Sequence, residues 1–239
     1  MSAARRAIGT TGPGREQAGG TEESMLERLL DRAVRRSKGH QVALELRRKN
    51  PHAAPAELVR LLERRYLRRA ALLGGGVGAA ATVPAVGTGT AAVLTTGQVA
   101  SFLISSATFA MAVATVHGVE VDDVERRRTL LAASLLGEEG AEMVTGQVGL
   151  GTLYWARTVL TKLPIARIRA VNKMLTRRLV RFGFARGGAL VLGRLVPFGV
   201  GAVIGYVGTR GMGQNVVDGV HEAFGPPPAR FTAELERAR

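Results

Sequence analysis

The chain contains no cysteine, which excludes structural disulfides and thiolate metal sites. Aromatic residues make up only 5% of its 239 positions. Two further absences organise it. No Asp, Glu, Lys or Arg occurs from Ala70 to Val119, and no Asp or Glu between Met143 and Val217. A soluble surface helix needs a polar face, so the charge-free run is either the dry centre of a helical domain or a segment in lipid. The acid-free stretch leaves eleven Lys or Arg residues without a local counter-charge. That points to an anionic partner, either phospholipid head groups or nucleic acid. No apolar stretch of signal-peptide type opens the chain. Residues 1–20 are polar and Gly-rich, and are expected to form a disordered tail on a protein resident in the cytoplasm.

What is present is mostly small, apolar or cationic. The chain is 46% apolar, with 31 Gly and a formal charge of +14. Small residues in that excess let helix backbones approach closely. Arg supplies 29 of the 33 basic residues, which carries little mechanistic weight. Helical spacing runs through nearly every segment and no window sustains a period of two, so the expected fold class is all-α. The expectation is a helical bundle with two Gly-rich apolar hairpins at its centre and amphipathic basic helices around them. One domain is expected over residues 21–228, followed by a charged tail over 229–239.

In chain order, Thr21 is the expected cap of a helix over 21–38. A short helix over 41–49 ends before Asn50-Pro51. An Arg-studded helix over 56–72 follows Pro55. The charge-free run then reads as two arms, 72–83 and 90–117, joined by a turn through Pro84, Gly87 and Gly89. The first arm carries Gly74 and Gly78. In the second, Gln98, Ser101, Ser105, Thr108, Ala112 and Thr115 recur at alternating steps of three and four, a seam suited to a close helix contact. An arm of twelve residues reaches only ~18 Å, short of a ~30 Å hydrocarbon layer, so a shallow or re-entrant hairpin fits better than a spanning one.

Asp122 or Asp123 is expected to cap a helix over 123–136. Its Arg126, Arg127 and Arg128 flank the run on one side, as Arg64, Arg65, Arg68 and Arg69 do on the other. Basic flanks at both ends place both on the cytoplasmic face. Tyr154-Trp155 beside Arg157 suits either a membrane interface or a core position. Residues 165–182 are sharply amphipathic, with Ile165, Ile168, Val171, Leu175, Leu179 and Phe182 on one arc. The other arc carries Arg167, Arg169, Lys173, Arg177, Arg178 and Arg181, the candidate anionic-lipid contacts. Residues 187–224 return to the Gly-rich theme, turning at Val196-Pro197. Gly201, Gly205 and Gly208 lie on one helix face and, with Gly74 and Gly78, are the candidate packing glycines.

The segment from Val83 to Gly137, with its Gly/Pro turn, long apolar helix, His117-Gly118-Val119 and Asp/Glu-Arg helix start, resembles the EcsC family. So does the later block Leu195-Val196-Pro197-Phe198-Gly199 with Thr209-Arg210. The resemblance covers roughly 55–225. The family pattern has Asn in the last Gly-rich helix where this chain has Gly205. The resemblance implies membrane association and no reaction, in a role accessory to an ABC transporter or an envelope process.

No enzyme signature holds, so no catalytic residue and no cofactor is expected. Gly87-Thr88-Gly89-Thr90-Ala91-Ala92 matches a dinucleotide fingerprint by letter but lacks a βαβ setting and a following acid. His117 with Glu120, Asp122 and Asp123 reads as a helix start rather than a metal set. The expected function is therefore non-enzymatic attachment to the cytoplasmic face of an anionic phospholipid membrane. A soluble helical scaffold docking an acidic protein is the alternative. Nucleic-acid binding ranks below both, because no helix-turn-helix, finger or stacking platform accompanies the charge. A membrane-protein partner and self-association are both left open.

Overall fold

A computed structural model describes the backbone of residues 14–80, 88–149, 154–193 and 200–238. Side chains are described for 21–74, 97–147, 149, 154–181 and 209–238. The described residues form a helical bundle with no strand. Its elements are α1 (Gly14–Arg36), α2 (Gly39–Lys49), α3 (Pro55–Ala80), α4 (Thr88–Val116), α5 (Val124–Leu136), α6 (Glu138–Val148), α7 (Ala156–Lys162), α8 (Ile165–Gly193), α9 (Val200–Phe224) and α10 (Ala233–Arg237).

The charge-free run supplies the centre. From Phe102 to Val116, α4 buries residues on every side, including Phe109, Ala110, Met111, Ala112 and Val113. A helix that is apolar all round belongs inside. Helices α1, α2, α3 and α5 surround it, and α3 shares its longest seam with α9. The two helices that lead into and out of the Gly-rich stretches, α3 and α9, therefore pack on each other. Gly213 makes that seam close: a Cβ there would stand 3.2 Å from the Ala70 Cβ. Tyr66 stacks on Phe109 with ring centroids 4.8 Å apart, and its hydroxyl meets Ser106 at 2.8 Å. Burial pushes the Tyr66 hydroxyl pKa up.

The structure differs from the sequence reading at four places. Helix α1 begins at Gly14 rather than Thr21, so the end of the expected tail is helical. The Arg-studded helix and the first apolar arm are one helix, α3, because three successive glycines lower helix propensity without supplying a competing turn. The 137–140 turn contracts to Gly137, whose φ of 65° suits glycine, and α6 starts at once. The expected charged tail packs back on the body: Leu235 of α10 is fully buried. As expected, Asp123 caps α5, its Oδ1 accepting from the Arg126 amide at 3.0 Å. The Pro84 and Val196-Pro197 turns lie outside the described residues, as does the Phe182 side chain.

The seam on α4 is used along half its length. Thr108 Oγ1 accepts from the Lys38 amide at 3.4 Å. At Ala112 the α2 start sits so close that a Cβ on Gly39 would lie 2.6 Å from its backbone nitrogen. Gln98 donates to the Leu73 carbonyl at 3.0 Å, whereas Ser101 faces solvent.

Candidate functional site

Three contacts fix the direction of the long helices. Gln98 of α4 meets Leu73 of α3, Gly213 of α9 lies against Ala70, and His221 pairs with Glu63 at 2.7 Å. Rising numbers in α3 thus run beside falling numbers in α4 and α9. The C-terminal half of α3 and the N-terminal halves of α4 and α9 gather at one end of the bundle. Towards that end, with α3 continuing to Ala80, α4 starting at Thr88 and α9 at Val200, Leu72 is 71% exposed, Val99 42% and Met212 39%. These are three large apolar side chains on three adjacent helices at one level. Arg68, Arg69 and Arg210 are exposed beside them.

Helix α8 supplies the second feature. Its apolar row does not face outward: Ile168, Val171 and Leu175 are buried, mainly against α5. Asn172, also on the inner side, is held by Thr129 at 2.7 Å and by the Glu125 carbonyl at 2.9 Å. The packing turns Arg167, Arg169, Lys173, Arg177, Arg178 and Arg181 outward, and all six are exposed. The acid-free neighbourhood in sequence is not acid-free in space. Arg177 reaches Glu23 of α1 at 3.5 Å, and Arg178 pairs with Glu139 of α6. Among the described residues, no carboxylate pairs with Arg167, Arg169, Lys173 or Arg181.

The basic flanks expected at the membrane are largely bound inside the protein. Arg126 donates to the Val159, Leu160 and Leu163 carbonyls at 3.0, 2.8 and 2.8 Å, closing the C-terminus of α7. Arg127 bonds the Val121 carbonyl. Arg128, nearly buried, bridges Asp31 at 3.2 Å and Glu125 at 2.5 Å. Arg65 pairs with Glu45 at 3.7 Å. Trp155 is a core residue, whereas its neighbour Tyr154 is exposed.

Of the candidate packing glycines, Gly74 is buried. Gly78, Gly201, Gly205 and Gly208 lie outside the residues whose side-chain surroundings are described. Close contacts do form at Gly39 and at Gly219, where a Cβ would stand 2.7 Å from the Ser134 carbonyl oxygen.

Arg47 was not distinguished from Arg48 by any sequence signal. It is 4% exposed and joins three segments. Its guanidinium donates to the Pro51, Ala53 and Leu235 carbonyls at 2.9, 3.0 and 3.3 Å and lies 4.3 Å over the Phe231 ring. Near it, at the end of the bundle opposite Leu72, a cleft of about 730 Å³ opens between the α1–α2 junction, the C-terminus of α4 and α10. Its charges pair across its walls, His40 with Glu234 at 3.0 Å and Arg127 with Asp122 at 3.9 Å. The described residues contain no group of three or more His, Cys, Asp or Glu placed to hold a metal ion.

Comparison with known proteins gives no match to a family model, a curated protein or a solved structure.

Proposed function

We propose that this chain is a non-enzymatic, EcsC-like helical protein attached end-on to the cytoplasmic face of the membrane. The observation that carries this reading is the exposed level formed by Leu72, Val99 and Met212. Soluble surfaces scatter large apolar side chains singly, so three at one level on helices that pack together support a covered surface there. The sequence leading away from that level carries no charge from Ala70 as far as Gln98. In this reading the exposed Arg68, Arg69, Arg181 and Arg210 meet the head groups, each contributing about 1 kcal/mol near an anionic leaflet. A role beside an ABC transporter or in an envelope process is the extension that the family resemblance supports.

The soluble scaffold keeps support from one observation. The stretch Gly97–Val116 is long and apolar enough to cross a membrane, yet 61% of it is buried in the bundle. Co-sedimentation with phosphatidylserine-containing vesicles separates the two. End-on attachment predicts that Leu72→Gln, Val99→Gln and Met212→Gln together release the protein while its circular dichroism is unchanged. Equal sedimentation of variant and wild type would sink the attachment and leave the scaffold.

A further inference from the structure

We infer that the solvent-facing row Arg167, Arg169 and Lys173 on the first half of α8 docks an acidic helix of a partner protein. The distance argument rests on the end-on attachment proposed above. Arg178 pairs with Glu139 just past Gly137, and Gly137 lies against Asn215 of α9. One turn further on, Arg181 stands at about the height of Met212. Counting back along α8 at ~1.5 Å per residue, Lys173 is about 12 Å, Arg169 about 18 Å and Arg167 about 21 Å from that height. A Debye length at physiological ionic strength is about 8 Å, so the row lies beyond useful reach of the leaflet. Lipid does not explain it.

The row also lacks an internal purpose. All three cations are exposed, and among the described residues none meets a carboxylate. Arg169, Lys173, Arg177 and Arg181 follow one another at i,i+4, a spacing at which like charges repel and weaken the helix. Between them, Ala166 and Ala170 are exposed and small, and Ile165 is 37% exposed. Small side chains flanked by cations let another helix lie close with its carboxylates at the edges.

The molecule contains an example of this mode of contact. Helix α1 lies along α5 and α8 with Glu23, Glu27 and Asp31 at i,i+4 spacing. Glu23 reaches Arg177 and Asp31 reaches Arg128. An acidic helix already fits this cationic side, and the first half of α8 offers the same ladder without an occupant. A phosphate backbone fits less well, because among the described residues of α8 no exposed aromatic accompanies the row to stack on a base.

The test uses the full chain and a fluorescein-labelled synthetic helix with Glu at every fourth position, read by anisotropy. The control peptide carries Gln for Glu. Wild type is expected to bind the Glu peptide and not the Gln peptide. Arg167→Gln, Arg169→Gln and Lys173→Gln together should weaken binding about tenfold, the sum of a few exposed ion pairs. Arg68→Gln, Arg69→Gln and Arg210→Gln together should leave it unchanged. Equal peptide affinity for the first variant and wild type overturns the proposal. So does binding of duplex DNA, but not peptide, that the same variant abolishes, which would reassign the row to nucleic acid. Loss of vesicle binding in that variant would assign it to lipid instead. The peptide assay contains no membrane, so peptide binding without vesicle binding supports the docking row and removes only the end-on attachment.

Discussion

Residues 126–128 of α5 and the cations of α8 look alike as sequence and differ in the folded chain. The first set is drawn inward: Arg126 by three carbonyls at the end of α7, Arg127 by the Val121 carbonyl, Arg128 by Asp31 and Glu125. The second set is turned outward by an inner face of Ile168, Val171, Asn172 and Leu175. A guanidinium becomes structural where the fold brings it unpaired carbonyls or carboxylates. It stays available where its own helix has already buried the opposite face. Charge density along a sequence does not separate these cases; the acceptors contributed by distant segments do.

The comparison is sharpest at Arg128. Replacing it with Ala leaves Glu125 partly buried without its cation, and unfolding in urea should show a loss of about 3–5 kcal/mol. The corresponding change of an outward residue, Lys173→Ala, should stay within about 0.5 kcal/mol. A loss below 1 kcal/mol for Arg128→Ala would mean that this inward set is no more structural than the outward one.

Arg47 should follow in size. Arg47→Met keeps much of the stem volume but leaves the Pro51, Ala53 and Leu235 carbonyls without their donor, each worth about 1 kcal/mol or more when buried. The expected loss is about 2–3 kcal/mol, accompanied by faster proteolytic removal of α10. If α10 stays as protected as in wild type, the C-terminal segment is held by Leu235 and Phe231 packing instead.

Much of this architecture is readable from residue order, and the unread part has a common cause. The helices and the two faces of α8 follow from periodicity within single segments, and the Asp123 cap from residue type at a helix start; the absence of charge in α4 left protein core and lipid open. The paired state of Arg177 and Arg178 did not, because Glu23 and Glu139 lie far away in sequence. Arg47 was invisible for the same reason: its acceptors are loop carbonyls, which every residue carries. The continuity of α3 was missed because its glycines resemble a boundary by composition alone. The exposed level of Leu72, Val99 and Met212 draws one residue from each of three helices, and only their alignment makes it a surface.

Two histidines offer a smaller, pH-dependent contrast. Burial, aided by the nearby charges of Arg157 and His221, holds His117 down at about 4. The unfolded chain binds that proton from about 6.5 downward, so His117 contributes stability above 6.5 that is lost as pH falls towards 4. His221 is raised by its bond to Glu63, so its contribution is full below 6.5 and fades as pH rises through the folded value. Thermal melts at pH 7.5 and pH 4.5 should show a smaller acid-induced drop in His117→Gln than in wild type. In His221→Gln the part of the stability gained between pH 8 and 6.5 should vanish. Identical pH profiles in all three proteins would place both rings outside the linkage.

The smallest effect is also the most discriminating between the two cationic sets. Lys173 lies four residues from both Arg169 and Arg177 on a solvent-facing row. Lys173→Glu turns two like-charge neighbours into two opposite-charge ones, each such helical pair being worth about 0.2–0.5 kcal/mol. The variant should therefore be more stable than wild type by about 0.5–1 kcal/mol in urea at low salt, a gain that shrinks in high salt. The same reversal at Arg128 would be ruinous, because Asp31 and Glu125 already face it. A stabilising charge reversal marks a position where the fold tolerates repulsion that it has no structural reason to keep. If Lys173→Glu instead destabilises the protein, a carboxylate must already be serving that side chain, and the α8 row would join the inward set as part of the fold.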